Sequence, residues 1–470
     1  MGFFEIVTDE AVDHGRPYRA YIPSRLQDIP LSLSPVVARK VDRASRQIAQ
    51  IDTRLGGSPS LPALEALVKS EAVASSYIEG HRISADDLAR QATDPHTASA
   101  DVRAVMGNIE ATHRAVRSLS DPSRPISIED IVRIQSDLME THPRGGSRAP
   151  FIGLRTSQAV LIPPGAVRGE SASISEATHI PPPASRVGGA MADLIDYINS
   201  APTDAPPLVR AALAHAQFET IHPFPDGNGR TGRALIQAML RRDGAVKHIT
   251  LPLSPYLAMN PRSYVDGLNA VRFDGDEPDQ HALGQWFENF ADCAYSAAAN
   301  AKDVADHIDE IGADWTDRLR HDGARTGATA YGAVDYLLGA VATTARDLAF
   351  RLNVGEGAAR TALHRLERIG ALSASKGADG SVVFVADSVA DVIGRSQRDI
   401  EVISAPRFDA APIADAMSTR RRPSLDDTGV GARANPRKVC GAWMPRSRAH
   451  CNLPEGHAGW PQGGHRHLRR

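Results

Sequence analysis

The chain has 470 residues, 42% of them hydrophobic, 23% charged and 5% aromatic, with a formal net charge of −3. At about 100 to 200 residues per domain this length predicts roughly three domains, and the composition excludes a wholly disordered or fibrous chain. The average charge conceals a split. From Pro406 onward 12 Lys and Arg face 5 Asp and Glu, a net +7, which leaves −10 for residues 1–405. Three cysteines are too few for a disulfide framework and point to a reducing compartment. No apolar run approaches the ~18 residues of a membrane-spanning helix, and the start MGFFEIVTDEAVDHG lacks the regions of an export signal. The expectation is a cytoplasmic protein without a membrane partner.

In chain order, residues 16–30 carry three prolines and no helical periodicity, and read as an extended arm. From Pro35 to Arg54 the positions Val36, Val37, Val41, Ala44, Ile48 and Ile51 repeat at helical spacing. The next segment does the same with Leu64, Leu67, Val68, Glu71, Ser75 and Ile78, and Gly80 is a fitting residue to end it. Further helices are predicted over 98–119, 127–141, 187–200, 206–221, 228–243, 260–272 and 278–303. Residues 144–186 break the pattern with six prolines and a β-like run, Ala159 to Ile162, and read as a hairpin or loop lying on the helices.

Beyond about residue 310 the text changes. Helices over 344–352 and 356–369 flank the turn Asn353-Val354-Gly355, and two short runs around Asp379-Gly380 read as a hairpin. This is the order of a winged helix-turn-helix. Residues 404–438 have almost no apolar pattern and read as a flexible basic linker.

The most informative stretch is His222-Pro223-Phe224-Pro225-Asp226-Gly227-Asn228-Gly229-Arg230-Thr231-Gly232-Arg233. The two prolines exclude a helix through its first half. Gly227-Asn228-Gly229 allows successive backbone N–H groups to converge on an anion, and the helix that starts there adds its positive end. Arg230 and Arg233, three apart, share a helix face and bring two guanidinium forks to the same ligand. Asp226 is placed to hold Mg²⁺ on phosphate oxygens. His222, with a reference pKa near ~6.5, can take a hydroxyl proton. Together these predict a polyphosphate cradle serving transfer onto a hydroxyl.

These residues resemble the HxFx(D/E)GNGRxxR signature of the Fic (filamentation induced by cAMP) family at every key position, and the resemblance extends over roughly residues 15–300. It implies a mainly α fold: an all-helical Fic core with a short β-hairpin flap, plus the C-terminal winged helix-turn-helix. It also implies a protein adenylyltransferase, transferring AMP from ATP to a Ser, Thr or Tyr hydroxyl of a protein and releasing pyrophosphate. His222 would then be the general base, Asp226 the Mg²⁺ ligand and Phe224 the anchor of the loop. Gly227, Asn228 and Gly229 would hold the α and β phosphates, and Arg230 and Arg233 the β and γ phosphates. The protein substrate would lie along a flap near 153–185, whose start Gly153-Leu154-Arg155-Thr156 and exit Pro181-Pro182-Pro183 fit the family, with backbone pairing supplying most of the recognition.

A second signal, Ser75-Ser76-Tyr77-Ile78-Glu79-Gly80, resembles the (S/T)xxxE(G/N) inhibitory motif found in Fic proteins N-terminal to the core. By that resemblance Ser75, Glu79 and Gly80 form a brake in which Glu79 pairs with Arg233 and displaces the γ-phosphate. In some family members the same glutamate serves removal of AMP, so de-AMPylation is an alternative.

In the C-terminal half, Arg360, Thr361, His364, Arg365 and Arg368 lie on the polar side of the second helix of the winged module and suit DNA; dimerisation or target docking are the other uses of such a module. Cys440, Cys451, His457, His465 and His467 can supply a tetrahedral Zn²⁺ site, the alternative being a basic tail with incidental histidines. The expected organisation is an N-terminal arm and helical region with the inhibitory motif (1–110), catalytic core (111–305), winged helix (306–400), linker (401–438) and Cys/His module (439–470). A rival function is a DNA-binding regulator whose core senses nucleotide.

Overall fold

In the computed structural model the described residues are 2–8, 16–56, 61–94, 97–140, 152–161, 177–200, 205–275, 277–377, 380–404, 443–444 and 449–450. They belong to two units, Met1–Ser418 and Thr419–Arg470. The first opens with an antiparallel ribbon of β1 (Phe3–Val7) and β2 (Tyr18–Ile22), Phe3 opposite Ile22 and Val7 opposite Tyr18. The arm expected from residue 16 is therefore paired in its first part, with an N-terminal strand that the sequence pattern does not announce.

Among the described residues eleven α-helices follow: α1 (Pro35–Gly56), α2 (Leu61–Ile78), α3 (Ala85–Gln91), α4 (Ala100–Leu119), α5 (Ile128–Glu140), α6 (Ala184–Asn199), α7 (Pro207–Ile221), α8 (Asn228–Arg242), α9 (Ser254–Met259), α10 (Pro261–Asn269) and α11 (Gln280–His321). The amphipathic ones lie outside. In α1 the stripe Val37, Val41, Ala44, Ile48, Ile51 and Leu55 is buried and runs along α11. The central ones, α2, α7 and α8, are buried nearly all round. Alanine and glycine on these helices let neighbours approach, which is how a chain so poor in aromatics closes a core. Gly232 shows the tolerance: a methyl group there would meet Glu219 Oε1 at 2.7 Å and the Phe218 ring at 3.0 Å. Caps set where helices begin. Ser84 Oγ accepts from Asp87 N to start α3, and Asp279 accepts from His281 and Ala282 N to start α11.

α11 extends to His321, well past the predicted end at 303, so the expected core boundary at 305 falls inside a continuous helix. It leads to α12 (Thr329–Ala340), β3 (Ala342–Thr344), α13 (Ala345–Leu352), α14 (Glu356–Arg368), β4 (Ser373–Lys376), β5 (Val382–Val385) and α15 (Asp387–Ser404). The strands form an antiparallel sheet in the order β3-β5-β4, with Thr343 and Ala374 flanking Phe384. One hydrophobic core runs from α1 to α15 without a break, and α2 is held between α4 and α9 on the core side and α12 and α15 on the C-terminal side.

The basic face expected on α14 is largely occupied. Arg365 Nε and Nη2 donate to Asp322 Oδ2 and its carbonyl oxygen at 2.6 and 2.8 Å, Arg368 reaches the same carboxylate at 2.6 Å, and Arg360 pairs with Glu356 at 2.6 Å. Three of the predicted outward cations are thus paired with two of the protein's own carboxylates, while Arg360 and Arg368 stay exposed. No helix among the described residues is long and apolar enough to cross a membrane.

The strand predicted over 159–162 is reduced, among its described residues, to one antiparallel bridge between Leu161 and His179. The described part of the second unit is the pair β6 (Trp443–Met444) and β7 (Ala449–His450), Trp443 opposite His450. The proposed zinc ligands Cys440, Cys451, His457 and His465 lie outside the described residues, as does the linker after Ser404.

Candidate active site

The motif residues converge where α7 ends and α8 begins. α7 stops because His222 adopts a left-handed conformation, φ 48° and ψ 61°, with its N–H still bonded to the Phe218 carbonyl at 2.9 Å. A non-glycine residue holds this conformation at a cost and needs its surroundings to impose it. The imposing residue is Arg155, only 4% exposed. Its Nε donates to the His222 carbonyl at 2.8 Å, its other nitrogens to the carbonyls of Ser157, Pro182 and Ile221, and its backbone N–H to Pro223 O at 2.8 Å. The first residue of the motif and both ends of the predicted flap are therefore tied to one guanidinium.

The loop is closed from the other end by Asn228. Its Oδ1 accepts from Phe224 N and its Nδ2 donates to Phe224 O, both at 2.9 Å, while the Phe224 ring is buried near that of Phe218. Asn228 thus offers a ligand its backbone N–H, its side chain being spent on loop shape. Gly227, at φ +83°, precedes the helix and donates to Asp226 Oδ1 at 2.7 Å. Asp226 stays 27% exposed in its side chain, at the mouth of the site.

Arg230 is the telling group. Its side chain is 3% exposed, yet Nε and Nη1 have no hydrogen-bond partner, and Nη2 is 3.9 Å from Asp226. A buried guanidinium with unmet donors is costly unless an anion completes it. Arg233 is the opposite case. Nε donates to Ser75 Oγ, and Nη2 to Ser75 O and Glu79 Oε1, each at 2.8 Å.

Glu79 stands just past α2, where Gly80 turns the chain at φ +91° and the Ser76 carbonyl accepts from both Glu79 N and His81 N. Its side chain is one-third exposed. Partial withdrawal from water pushes its pKa up, but the charges of Arg233 and Arg230 outweigh that and hold the carboxyl below its ordinary value. Oε1 rests on the first turn of α8, so near Gly229 that a Cβ there would have to displace it. A carboxylate there stands in for an anion on the helix terminus and the arginine pair.

The His222 imidazole is driven down to about 4, first by burial and then by the Arg155 charge, and is neutral near pH 7. Each described residue predicted for the site is thus in one place, and Ser75 and Glu79, 158 and 154 residues away in sequence, meet Arg233; the C-terminal cysteines and histidines lie outside the described residues. Asp226 is the carboxylate suited to Mg²⁺, which takes one or two carboxylates and completes its shell with phosphate oxygens and water; among the described residues no cluster of three or more His, Cys, Asp or Glu makes an all-protein metal site. Sequence reasoning missed the closeness of Glu219 to His222 and the reach of Arg155 into the loop. Glu219 was detectable as the residue one helical turn before His222.

Residues 125–240 match the model of the Fic/DOC family, and residues 38–117 that of the Fic/DOC family N-terminal region. Over 182 residues the chain is 28% identical to a probable protein adenylyltransferase of Aquifex aeolicus (strain VF5), covering 38% of this chain and 50% of that one. Over 142 residues it is 31% identical to the protein adenylyltransferase Fic of Nematostella vectensis, covering 30% and 29%. The chain therefore spans half or less of the length of these relatives. In structure it is similar to a Fic family protein from Desulfovibrio desulfuricans G20, with a TM-score of 0.44, 20% identity, and coverage of 76% of this chain and 98% of that one.

Proposed function

Residues 125–240 of this chain are a Fic/DOC family domain, and on that premise we propose that the protein is an adenylyltransferase for protein hydroxyls, restrained by its own Glu79. The observation that carries the reading is Arg230, whose buried nitrogens lack partners beside an anion-binding helix terminus. ATP supplies the missing acceptors. Its β and γ phosphates fit Arg230, Arg233 and the N–H groups after Gly227, and Asp226 would hold Mg²⁺, which offsets phosphate charge when bound. The target hydroxyl oxygen bonds to the α-phosphorus as the bond to the β-phosphate bridging oxygen breaks. The hydroxyl proton passes to His222, and pyrophosphate leaves from the arginine side. The flap supplies backbone for the target chain near Leu161 and His179.

Glu79 opposes this chemistry because its carboxylate and a γ-phosphate compete for Arg233. Holding 99% of molecules closed takes about 2.7 kcal/mol, and one charge-assisted hydrogen bond is worth about 1.5–3 kcal/mol, so a brake of this kind leaks. The test is labelling with a tagged ATP. Glu79→Gly raises label incorporation well above wild type and Glu79→Gly/His222→Ala abolishes it; undiminished incorporation without His222 overturns the reading. The rival, a nucleotide-sensing DNA regulator, draws less support because the arginines of α14 are engaged by Asp322 and Glu356.

A further inference from the structure

His222, as the base, has a second ring nitrogen for which the transfer mechanism has no use. Its Nδ1 is buried without a hydrogen-bond partner, and so is Glu219 Oε1, one helical turn earlier on α7. The other carboxylate oxygen, Oε2, is 3.9 Å from Nδ1. No other basic side chain among the described residues forms an ion pair with Glu219. Arg233 is spent on Ser75 and Glu79, and Arg272 donates to Thr220 Oγ1 at 3.0 Å and Asn269 Oδ1 at 2.8 Å. Oε1 itself sits beside Gly232, where an added Cβ would meet it at 2.7 Å.

We propose that Glu219 is a positioning residue for the transfer reaction: its Oε2 closes the remaining ångström to accept the Nδ1 hydrogen of His222, leaving the Nε2 lone pair for the target hydroxyl. This rests on His222 being the base. The geometry is that of a contact not yet tightened. A charge-assisted bond of this type settles at about 2.7–2.9 Å, and catalytic hydrogen bonds are commonly long before substrate binds. The partner of one imidazole nitrogen fixes which nitrogen carries the proton. A neutral His222 without such a partner divides between two tautomers, one of which cannot take a proton at Nε2. During transfer the hydroxyl proton comes to reside on Nε2, and above pH ~7, where Glu219 is ionised, its charge offsets the imidazolium. Burial raises the Glu219 carboxyl to about 7 and lowers His222 to about 4, the directions expected of two groups that each lack a partner.

The experiment uses the full chain in the Glu79→Gly background, with Glu219→Gln and Glu219→Asp added. Expected for Glu219→Gln is a kcat for label transfer about 10- to 100-fold lower, short of the ~10⁴ lost when a fully hydrogen-bonded triad carboxylate is replaced. The KM for ATP changes less than about twofold, because Glu219 does not touch the anion cradle. The shorter Glu219→Asp recovers part of the loss. In parallel, ¹⁵N NMR of labelled histidine reads the His222 tautomer without turnover: the Nδ1–H form predominates with Glu219 and gives way to a mixture with Gln. An unchanged kcat, or a lower kcat accompanied by unaltered His222 nitrogen shifts, overturns the assignment of Glu219 alone. Full transfer by the His222→Ala chain instead overturns the base, and this proposal with it.

Discussion

Glu79 Oε1 would lie 2.1 Å from a Cβ placed on Gly229. The proposed brake thus occupies the space that a side chain at 229 would need, and on that proposal one methyl group separates two explanations of activation. If activation needed only the departure of Glu79, Gly229→Ala would activate. The methyl also fills the place that an anion takes on the helix terminus. Gly229→Ala should therefore leave label transfer low, and in the Glu79→Gly background it should weaken ATP binding at least tenfold by calorimetry.

Ser75 holds Arg233 through a hydroxyl and a carbonyl at once. Ser75→Ala removes only the first and leaves Arg233 Nε short of an acceptor, a loss of about 1–3 kcal/mol from the closed form. Initial rates of labelling should rise roughly tenfold over wild type and remain below those of Glu79→Gly. Because Arg233 is buried, the ratio between the variants should vary little from 50 to 300 mM salt.

Arg155 is buried on carbonyl oxygens alone, a job suited to a planar fork and poorly done by an ammonium. Arg155→Lys should lower thermal stability by about 2–4 kcal/mol, as expected for buried acceptors left unmet. In the Glu79→Gly background it should lower kcat and raise the KM for the protein target while ATP affinity stays within about threefold. Steady-state kinetics with each substrate varied separates these effects.

Glu71 binds α2 to the start of α9 through Ser254 N at 2.8 Å and Ser254 Oγ at 2.5 Å, and burial raises its carboxyl to about 7. A carboxyl raised in the fold binds more protons there than in the unfolded chain between pH ~4.5 and ~7. Its contribution to stability is complete below that window and is lost as pH rises through about 7. Glu71→Gln removes the titration. Relative to wild type the variant should therefore gain stability from pH 5 to pH 8, by up to about 3 kcal/mol, in urea unfolding series at matched salt.

Much of this site was legible in residues 222–233, because prolines, glycines and arginines at fixed spacing restrict a backbone locally. The pairing of Glu79 with Arg233 was legible only through resemblance, since 154 residues separate them and spacing says nothing across such a distance. Arg155 was recognised as a flap residue but not as the tether of His222, for a buried arginine on backbone carbonyls leaves no charge partner in the sequence. The helices α3 and α9 escaped notice because six or seven residues hold too few turns to show a period, and α12 because apolar residues surround it. On α14 the residues Arg360, Thr361, His364 and Arg368 are exposed, as the sequence predicts; what spacing could not show is that Asp322, just past the end of α11, pairs with Arg365 and Arg368.

The 42 residues of α11 span about 63 Å at 1.5 Å per residue, and they enter the fold beside α1 and leave it beside α12. The chain consequently has no natural place to be cut between the helices that carry residues 222–233 and the C-terminal helices and sheet. A protease or a truncation ending near residue 305 would sever a helix mid-span and strip Ile308, Trp315 and Leu319 from the core. It would also strand α2, and Glu79 with it, without the α12 and α15 that press on its far side. Loss of the C-terminal third would then resemble the loss of a keystone more than the loss of an accessory, and shortened forms of this protein would be expected to be either poorly folded or unrestrained.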